Sequence, residues 1–95
     1  MEVTLLGTES RILSTVPVEL LVNVDGKIVR VAIDWPTIRT LVGDHSIDEV
    51  RVREFIRQNR PGFVLAIKSH LLSRGVPLDR QLVLTLDDFN YLHSV

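Results

Sequence analysis

Arginine forms the pattern with the clearest capacity for binding chemistry. Arg53, Arg57 and Arg60 recur at i, i+4 and i+7 in a predicted helix, and Arg51 lies close by. This spacing places guanidinium groups on one side of the helix, opposite much of its apolar stripe. Guanidinium groups bind phosphate and carboxylate groups through paired hydrogen bonds. The pattern therefore predicts either a face that binds nucleic acid or an acidic partner, or a solvated helix face.

Two observations favour the solvated face. Acidic residues at the start of the same helix weaken its positive field, and only 5% of the residues are aromatic, which disfavours a platform for base stacking. Arg60 differs from the other arginines because it directly precedes a proline that interrupts the helix. We interpret Arg60 as a structural residue whose guanidinium satisfies carbonyl groups at a helix end.

Histidine and carboxylate residues are the other candidates for chemistry. Two acidic groups have a histidine nearby: Asp44, His45 and Asp48, and Asp87, Asp88 and His93. A metal site needs three or four ligands with supporting partners, so we interpret both groups as helix caps or loops. His70 is close to apolar residues of a predicted helix and is interpreted as structural. The sequence contains no glycine-rich phosphate loop, HExxH motif or nucleophile elbow, so we predict no enzyme activity, no metal and no cofactor.

Composition restricts the class of protein further. The 95 residues carry 11 basic and 12 acidic side chains, for a net charge of −1, and 45% are hydrophobic. We predict one domain over residues 1–95, and the near-neutral charge argues against a globally basic nucleic-acid binder. The absence of cysteine excludes disulfides and thiol catalysis. The first residues lack the features of a signal peptide and no apolar run approaches about 18 residues, so we predict a cytoplasmic protein that spans no membrane.

The clearest structural signal is a β-hairpin with Asp25-Gly26 at its turn. A two-residue type I′ turn needs positive φ at both central positions, which Asp-Gly accommodates. The register of this turn places six apolar residues on one face, paired as Val22 with Val29, Leu20 with Val31, and Val18 with Ile33. The other face is mixed and includes Leu21 and Ile28, whose exposure would support dimerisation.

The segment after the hairpin predicts a short helix over 35–42. Asp34 is suited to cap it, Pro36 is tolerated in its first turn, and Gly43 is a good C-terminal stop. Trp35, the only tryptophan, begins this helix. We interpret Trp35 as a core residue, with an exposed interface anchor as the alternative.

Two further helices are predicted. The second starts at a capping box formed by Ser46 and Glu49 and ends near Gln58. Its apolar stripe consists of Val52, Phe55 and Ile56, supported by Val50. Arg60-Pro61 then interrupts the chain, and a third helix covers 62–73, with one kinked helix as the alternative.

Strands flank these helices. A short strand is predicted over 2–6 and a last strand over 81–86, followed by a turn over 87–91. Strands and helices are segregated, which predicts an α+β fold: a small antiparallel sheet with two to three helices on one face. The last strand must join the hairpin, because a two-stranded hairpin alone is barely stable.

Several landmarks follow one another in a characteristic order: Asp25-Gly26, Ile33, Phe55, Arg60, Phe63, Ala66 and Asp88-Phe89. In this order the chain resembles, over about 16–89, a family of small bacterial proteins called domain of unknown function 1488. The resemblance implies a small α+β fold and a bacterial cytoplasmic protein, and it supplies no catalytic residue. The family favours a cysteine where this chain has Val31, and an aromatic residue near Leu5 or Leu6.

We therefore expect a small bacterial protein without enzymatic activity that associates with itself, as a homodimer, or with another protein. The candidate interface residues are Trp35, Leu21 and Ile28. The alternative is a nucleic-acid-binding accessory protein that uses the arginine-rich helix face, formed by Arg51, Arg53, Arg57 and Arg60.

Overall fold

The structure is a computed structural model that describes residues 1–8, 16–44 and 46–92, and side chains as far as residue 89. Its elements are β1 (Val3–Thr8), β2 (Val18–Val24), β3 (Lys27–Ile33), α1 (Trp35–Val42), α2 (Glu49–Gln58), α3 (Arg60–Arg74), β4 (Gln81–Leu84) and a 3₁₀ helix (Leu86–Leu92). Within the described ranges, every helix is too short or too polar to serve as a membrane span.

The four strands form one sheet in the order β1-β2-β3-β4. The predicted α+β class is confirmed, and the first three strands pair antiparallel as expected. One detail of the prediction is wrong, because β4 pairs parallel with β3. Parallel pairing requires a crossover of a dozen or more residues, and the connection from Ile33 to Gln81 carries all three α-helices.

The hairpin has the predicted register. Val22 pairs with Val29 and the flanking apolar pairs follow as expected. Asp25 and Gly26 have φ of 51° and 89°, the positive values that a type I′ turn requires. The side-chain oxygen of Asn23 accepts a hydrogen bond from the Gly26 amide at 2.7 Å, which holds the turn from within.

Helix α1 begins and ends where the sequence predicts. The Asp34 carboxylate accepts a hydrogen bond from the Thr37 amide at 2.9 Å, which satisfies one free amide of the first turn. Gly43 ends the helix with φ of 78°, in the left-handed region, and its amide donates to the Arg39 carbonyl.

The start of α2 corrects the predicted capping box. Asp48, not Ser46, caps the helix, and its carboxylate accepts a hydrogen bond from the Arg51 amide at 2.9 Å. The Ser46 hydroxyl instead donates to Asp44 at 2.8 Å, so it is not available to cap. Val50, predicted to support the apolar stripe, is 70% exposed, because it lies about 200° around the helix from the buried Val52.

Helix α3 starts earlier than predicted and β4 ends earlier. A single residue, Asn59, separates α2 from α3, and α3 already includes Arg60, because proline is tolerated at the second helical position. Strand β4 stops at Leu84 because the Asp88 carboxylate accepts the Thr85 amide at 2.9 Å and turns the chain into the 3₁₀ helix. Leu86, predicted to belong to the strand, is therefore exposed.

The core lies between one face of the sheet and the helices. Alternate residues of all four strands are buried on this face, whereas their neighbours on the opposite face are half-buried or exposed. Three phenylalanines form a chain of edge-to-face contacts: the Phe63 ring centroid lies 5.9 Å from that of Phe55 and 5.4 Å from that of Phe89. This chain joins α2, α3 and the 3₁₀ helix.

Candidate functional site

Two of the four predicted arginines form ion pairs along the helix surface. Arg51 contacts Asp44 and Arg57 contacts Glu54, each at 2.6 Å. Hydrogen bonds from Ser46, together with Arg51, hold the pKa of the Asp44 carboxyl below its ordinary value. The hydrogen bond from Arg57 likewise lowers the pKa of Glu54. These pairs reduce the positive charge that Arg51 and Arg57 present outward.

The other two arginines reach across to β1. Arg53 donates to the Thr8 hydroxyl at 2.9 Å, and Arg60 donates to the Leu5 carbonyl. Arg60 is therefore structural, as predicted, but its hydrogen-bond partner is a carbonyl of β1 and not one at a helix end. The physical reason is that Asn59 already satisfies the end of α2, because both its backbone amide and its side-chain amide donate to the Phe55 carbonyl.

Three of the arginines meet at one cleft, which we call the arginine cleft. It has a volume of about 210 Å³ and is lined by Leu5, Gly7, Thr8, Arg53, Ile56, Arg57 and Arg60. Arg51 lines a separate cleft on the far side of α2, next to Ile47 and Phe55. The structure thus divides the predicted four-residue face into a group of three and one separate residue.

Trp35, the first candidate interface residue, lies in the core. Its side chain is 6% exposed, and its indole N–H donates to the Val16 carbonyl at 2.9 Å. The guanidinium of Arg39 covers the ring at 5.7 Å from its centroid. Trp35 therefore packs as the preferred interpretation predicts, and the alternative of an exposed anchor is wrong.

The burial of Trp35 gives a direct spectroscopic prediction. Because this residue is the only tryptophan, we expect native fluorescence emission that is blue-shifted relative to the denatured protein, and strong protection from quenching by iodide. Trp35→Phe supplies the matched blank, since it removes the signal while keeping an aromatic ring. Native emission at the wavelength of the denatured protein would contradict the buried position.

Leu21 and Ile28 lie on the side of the sheet that none of the described helices covers, which we call the open face. Its side chains alternate with those of the core and come from all four strands: Thr4, Leu6, Glu19, Leu21, Asn23, Ile28, Arg30, Ala32, Gln81 and Val83. Leu6, Ile28 and Val83 are 51%, 46% and 57% exposed, respectively, and Leu21 is half-buried. The open face therefore presents exposed apolar side chains, with a cleft of about 240 Å³ beside Glu19, Arg30 and Val83.

Side chains occupy single polar backbone groups at the β1 edge and at the two ends of β4. Arg60 occupies the Leu5 carbonyl on β1. Along β4, the amides of Gln81 and Thr85 donate to the carboxylates of Asp79 and Asp88, respectively. Occupied edge groups are a common protection against the addition of a further strand.

The described members of the two acidic groups act as caps and turn residues, as predicted: Asp48 caps α2, and Asp88 accepts the Thr85 amide. His45 and His93 lie outside the described residues. Asp88 also lies against His70, whose Nδ1 is 3.3 Å from both carboxylate oxygens. His70 is buried on α3, so this contact ties α3 to the 3₁₀ helix and agrees with a structural histidine. Among the described residues, no three histidine or carboxylate side chains converge to hold a metal ion.

The fold belongs to the α+β class, with a four-stranded mixed sheet and three helices on one side. A scan against protein-family models finds no match. A search of curated proteins finds no significant match. Among solved structures, the chain is similar to a protein of unknown function from the domain of unknown function 1488 family of Shewanella loihica PV-4. The two share 7% sequence identity and a TM-score of 0.63, over 88% of this chain and 94% of that chain. The resemblance predicted from the sequence is therefore confirmed at the level of the fold.

The residues that carried the resemblance stabilise the fold. Phe55, Phe63 and Phe89 form the chain of aromatic contacts, Arg60 contacts the edge of β1, and Asp88 ends β4. Sequence reasoning missed the partners on β1 and the contact between His70 and Asp88. These partners are 18 to 55 positions apart along the chain, and no local pattern links them.

Proposed function

We propose that this protein is a non-enzymatic self-associating module and that a second copy of the chain packs on the open face. The observation that carries the proposal is the arrangement of the helices and the sheet in two layers. Helices cover one side of the sheet, while the other side exposes Leu6, Ile28 and Val83. Exposed apolar side chains that share one surface are typical of protein interfaces. We place the protein in the bacterial cytoplasm, which agrees with the absence of cysteine.

The charges of the open face favour a second copy as the occupant. The face carries one acidic residue, Glu19, and one basic residue, Arg30, on neighbouring strands. Neither forms an ion pair within the described part of the chain. A two-fold axis that lies in the interface and passes between them brings each Glu19 against the partner copy's arginine at position 30. The surface is therefore complementary to itself, as an isologous dimer requires.

The dimensions of the sheet set the size of the proposed interface. The molecule measures 35 × 33 × 20 Å, so its thickness corresponds to one sheet and one helix layer. The four strands comprise 24 residues, which span roughly 380 Å² in projection at about 3.3 Å per residue and 4.8 Å between strands, so flanking residues must contribute to a standard interface of roughly 800 Å² per partner. The side chains bound to Leu5, Gln81 and Thr85 hinder the addition of a strand at these edge groups and so favour packing on the face.

An exposed apolar side chain of the open face should be needed for association. We expect Ile28→Glu to shift the protein from dimer to monomer in sedimentation velocity across a wide range of concentration, because it would bury a carboxylate without a partner. Leu72→Glu is the matched control, since Leu72 is 76% exposed on α3, away from the open face. It should leave the oligomeric state unchanged.

A charge exchange tests the two-fold arrangement. Glu19→Arg and Arg30→Glu should each weaken the dimer by about tenfold or more, because each places like charges opposite one another. The double variant should restore association, because positions 19 and 30 then carry opposite charges again. A wild-type protein that remains monomeric at every concentration would overturn the proposal. A dimer that Ile28→Glu leaves intact would also exclude the open face.

The arginine-rich helix face offers less support for a nucleic-acid-binding function. Arg51 and Arg57 are ion-paired, and Arg51 lies apart from the other three arginines.

A further inference from the structure

The arginine cleft is a second surface, independent of the open face. Arg53, Arg57 and Arg60 converge on it, and the other residues that line it within the described part of the chain are uncharged. Glu54, the ion-pair partner of Arg57, is not among these lining residues, so within the described part of the chain the cleft is lined by cationic groups and no carboxylate, in a chain whose net charge is −1. From this geometry we propose that the arginine cleft binds a small ligand that carries one phosphate group.

Two of the arginines are held in place before a ligand binds. The Thr8 hydroxyl holds Arg53, and the Leu5 carbonyl holds Arg60. Each guanidinium carries five N–H donors, so the contact of Arg60 with Leu5 leaves further donors on that group. Side chains that are already ordered lose less conformational entropy on binding, which favours affinity. The Leu5 carbonyl oxygen, which would repel an anion, already accepts a hydrogen bond from Arg60.

The size of the cleft favours a small ligand. A volume of about 210 Å³ equals that of roughly seven water molecules at about 30 Å³ each, enough for a phosphate group and a short organic part. A nucleic-acid strand would need a row of cationic sites to follow its phosphates. The fourth arginine does not extend the cleft into such a row, because Arg51 lies on the far side of α2, paired with Asp44.

Arg57 is the best residue to test. It is exposed, and its ion pair is with Glu54, on the surface of α2, so its replacement should not disturb the core. Arg51→Gln is the matched control: it removes the same charge and a similar ion pair from the same helix, outside the cleft. Glu54→Gln should increase the affinity for phosphate, because it removes the carboxylate that competes with a ligand for Arg57.

The experiment is calorimetric titration at low salt with inorganic phosphate, glycerol phosphate and a single-stranded oligodeoxynucleotide. We expect both phosphate compounds to bind, Arg57→Gln to weaken binding by about tenfold or more, and Arg51→Gln to change it by less than about twofold. Glu54→Gln should tighten binding. The proposal is overturned if neither phosphate compound binds, if the oligonucleotide binds more tightly than either, or if Arg51→Gln weakens binding as much as Arg57→Gln. Unchanged melting temperatures of the three variants would show that they fold.

Discussion

Replacement of Phe89 by alanine should lower the free energy of unfolding by about 3–5 kcal/mol, the range for large aromatic side chains in well-packed cores. Phe89 is fully buried, and its ring meets Phe63 edge to face at 5.4 Å. Each kcal/mol shifts the melting temperature of a domain of this size by about 4–8 °C, so we expect a fall of more than about 12 °C. Thermal unfolding followed by circular dichroism measures it.

The matched control for this variant is Phe89→Leu. Leucine keeps most of the apolar volume but cannot form the edge-to-face contact, so its cost should stay below about 1.5 kcal/mol. If the alanine variant costs less than about 1 kcal/mol, the 3₁₀ helix does not close the core, and the aromatic chain ends at Phe63.

Replacement of Asp88 by alanine is the second large effect. Its carboxylate accepts a hydrogen bond from the Thr85 amide at 2.9 Å and lies 3.3 Å from Nδ1 of the buried His70. Hydrogen bonds to charged groups contribute about 1.5–3 kcal/mol each, and the substitution leaves His70 without this partner. We therefore expect a loss of about 2–3 kcal/mol in chemical denaturation.

Asp87 supplies the control for this variant. It is the preceding residue with the same side chain, and it is exposed. Asp87→Ala should change stability by less than about 0.5 kcal/mol. A double-mutant cycle with His70→Ala isolates the contact between the two side chains. Equal effects of the two aspartate variants would show that general negative charge, and not the position of Asp88, stabilises this end of the chain.

Local signals in the sequence were sufficient for much of the fold. The Asp25-Gly26 turn and the alternation of the flanking strands agreed on one register, and Asp34 and Gly43 marked both ends of α1. Local patterns were less reliable where two residues competed for one role. Ser46 and Asp48 both suit a helix cap, and only the contact of Ser46 with Asp44 decides between them.

The candidate sites depend on contacts that no local pattern contains. Spacing placed four arginines on α2 and its end, but the division into the arginine cleft and Arg51 depends on where β1 lies beside the helix. The open face was predicted more closely, because the alternation of the hairpin already assigned Leu21 and Ile28 to the side opposite the core. Leu6 and Val83 could be assigned to that face only from the order of the strands in the sheet.

The parallel pairing of β4 with β3 has a consequence for the order of folding. The hairpin closes over two residues and can form within microseconds. Strand β4 must wait until all three helices have formed a connection from Ile33 to Gln81, and such distant contacts slow folding. During synthesis the outer edge of β3 therefore stays unpaired until β4 has left the ribosome. In that interval, β3 is the strand most open to pairing with another nascent copy.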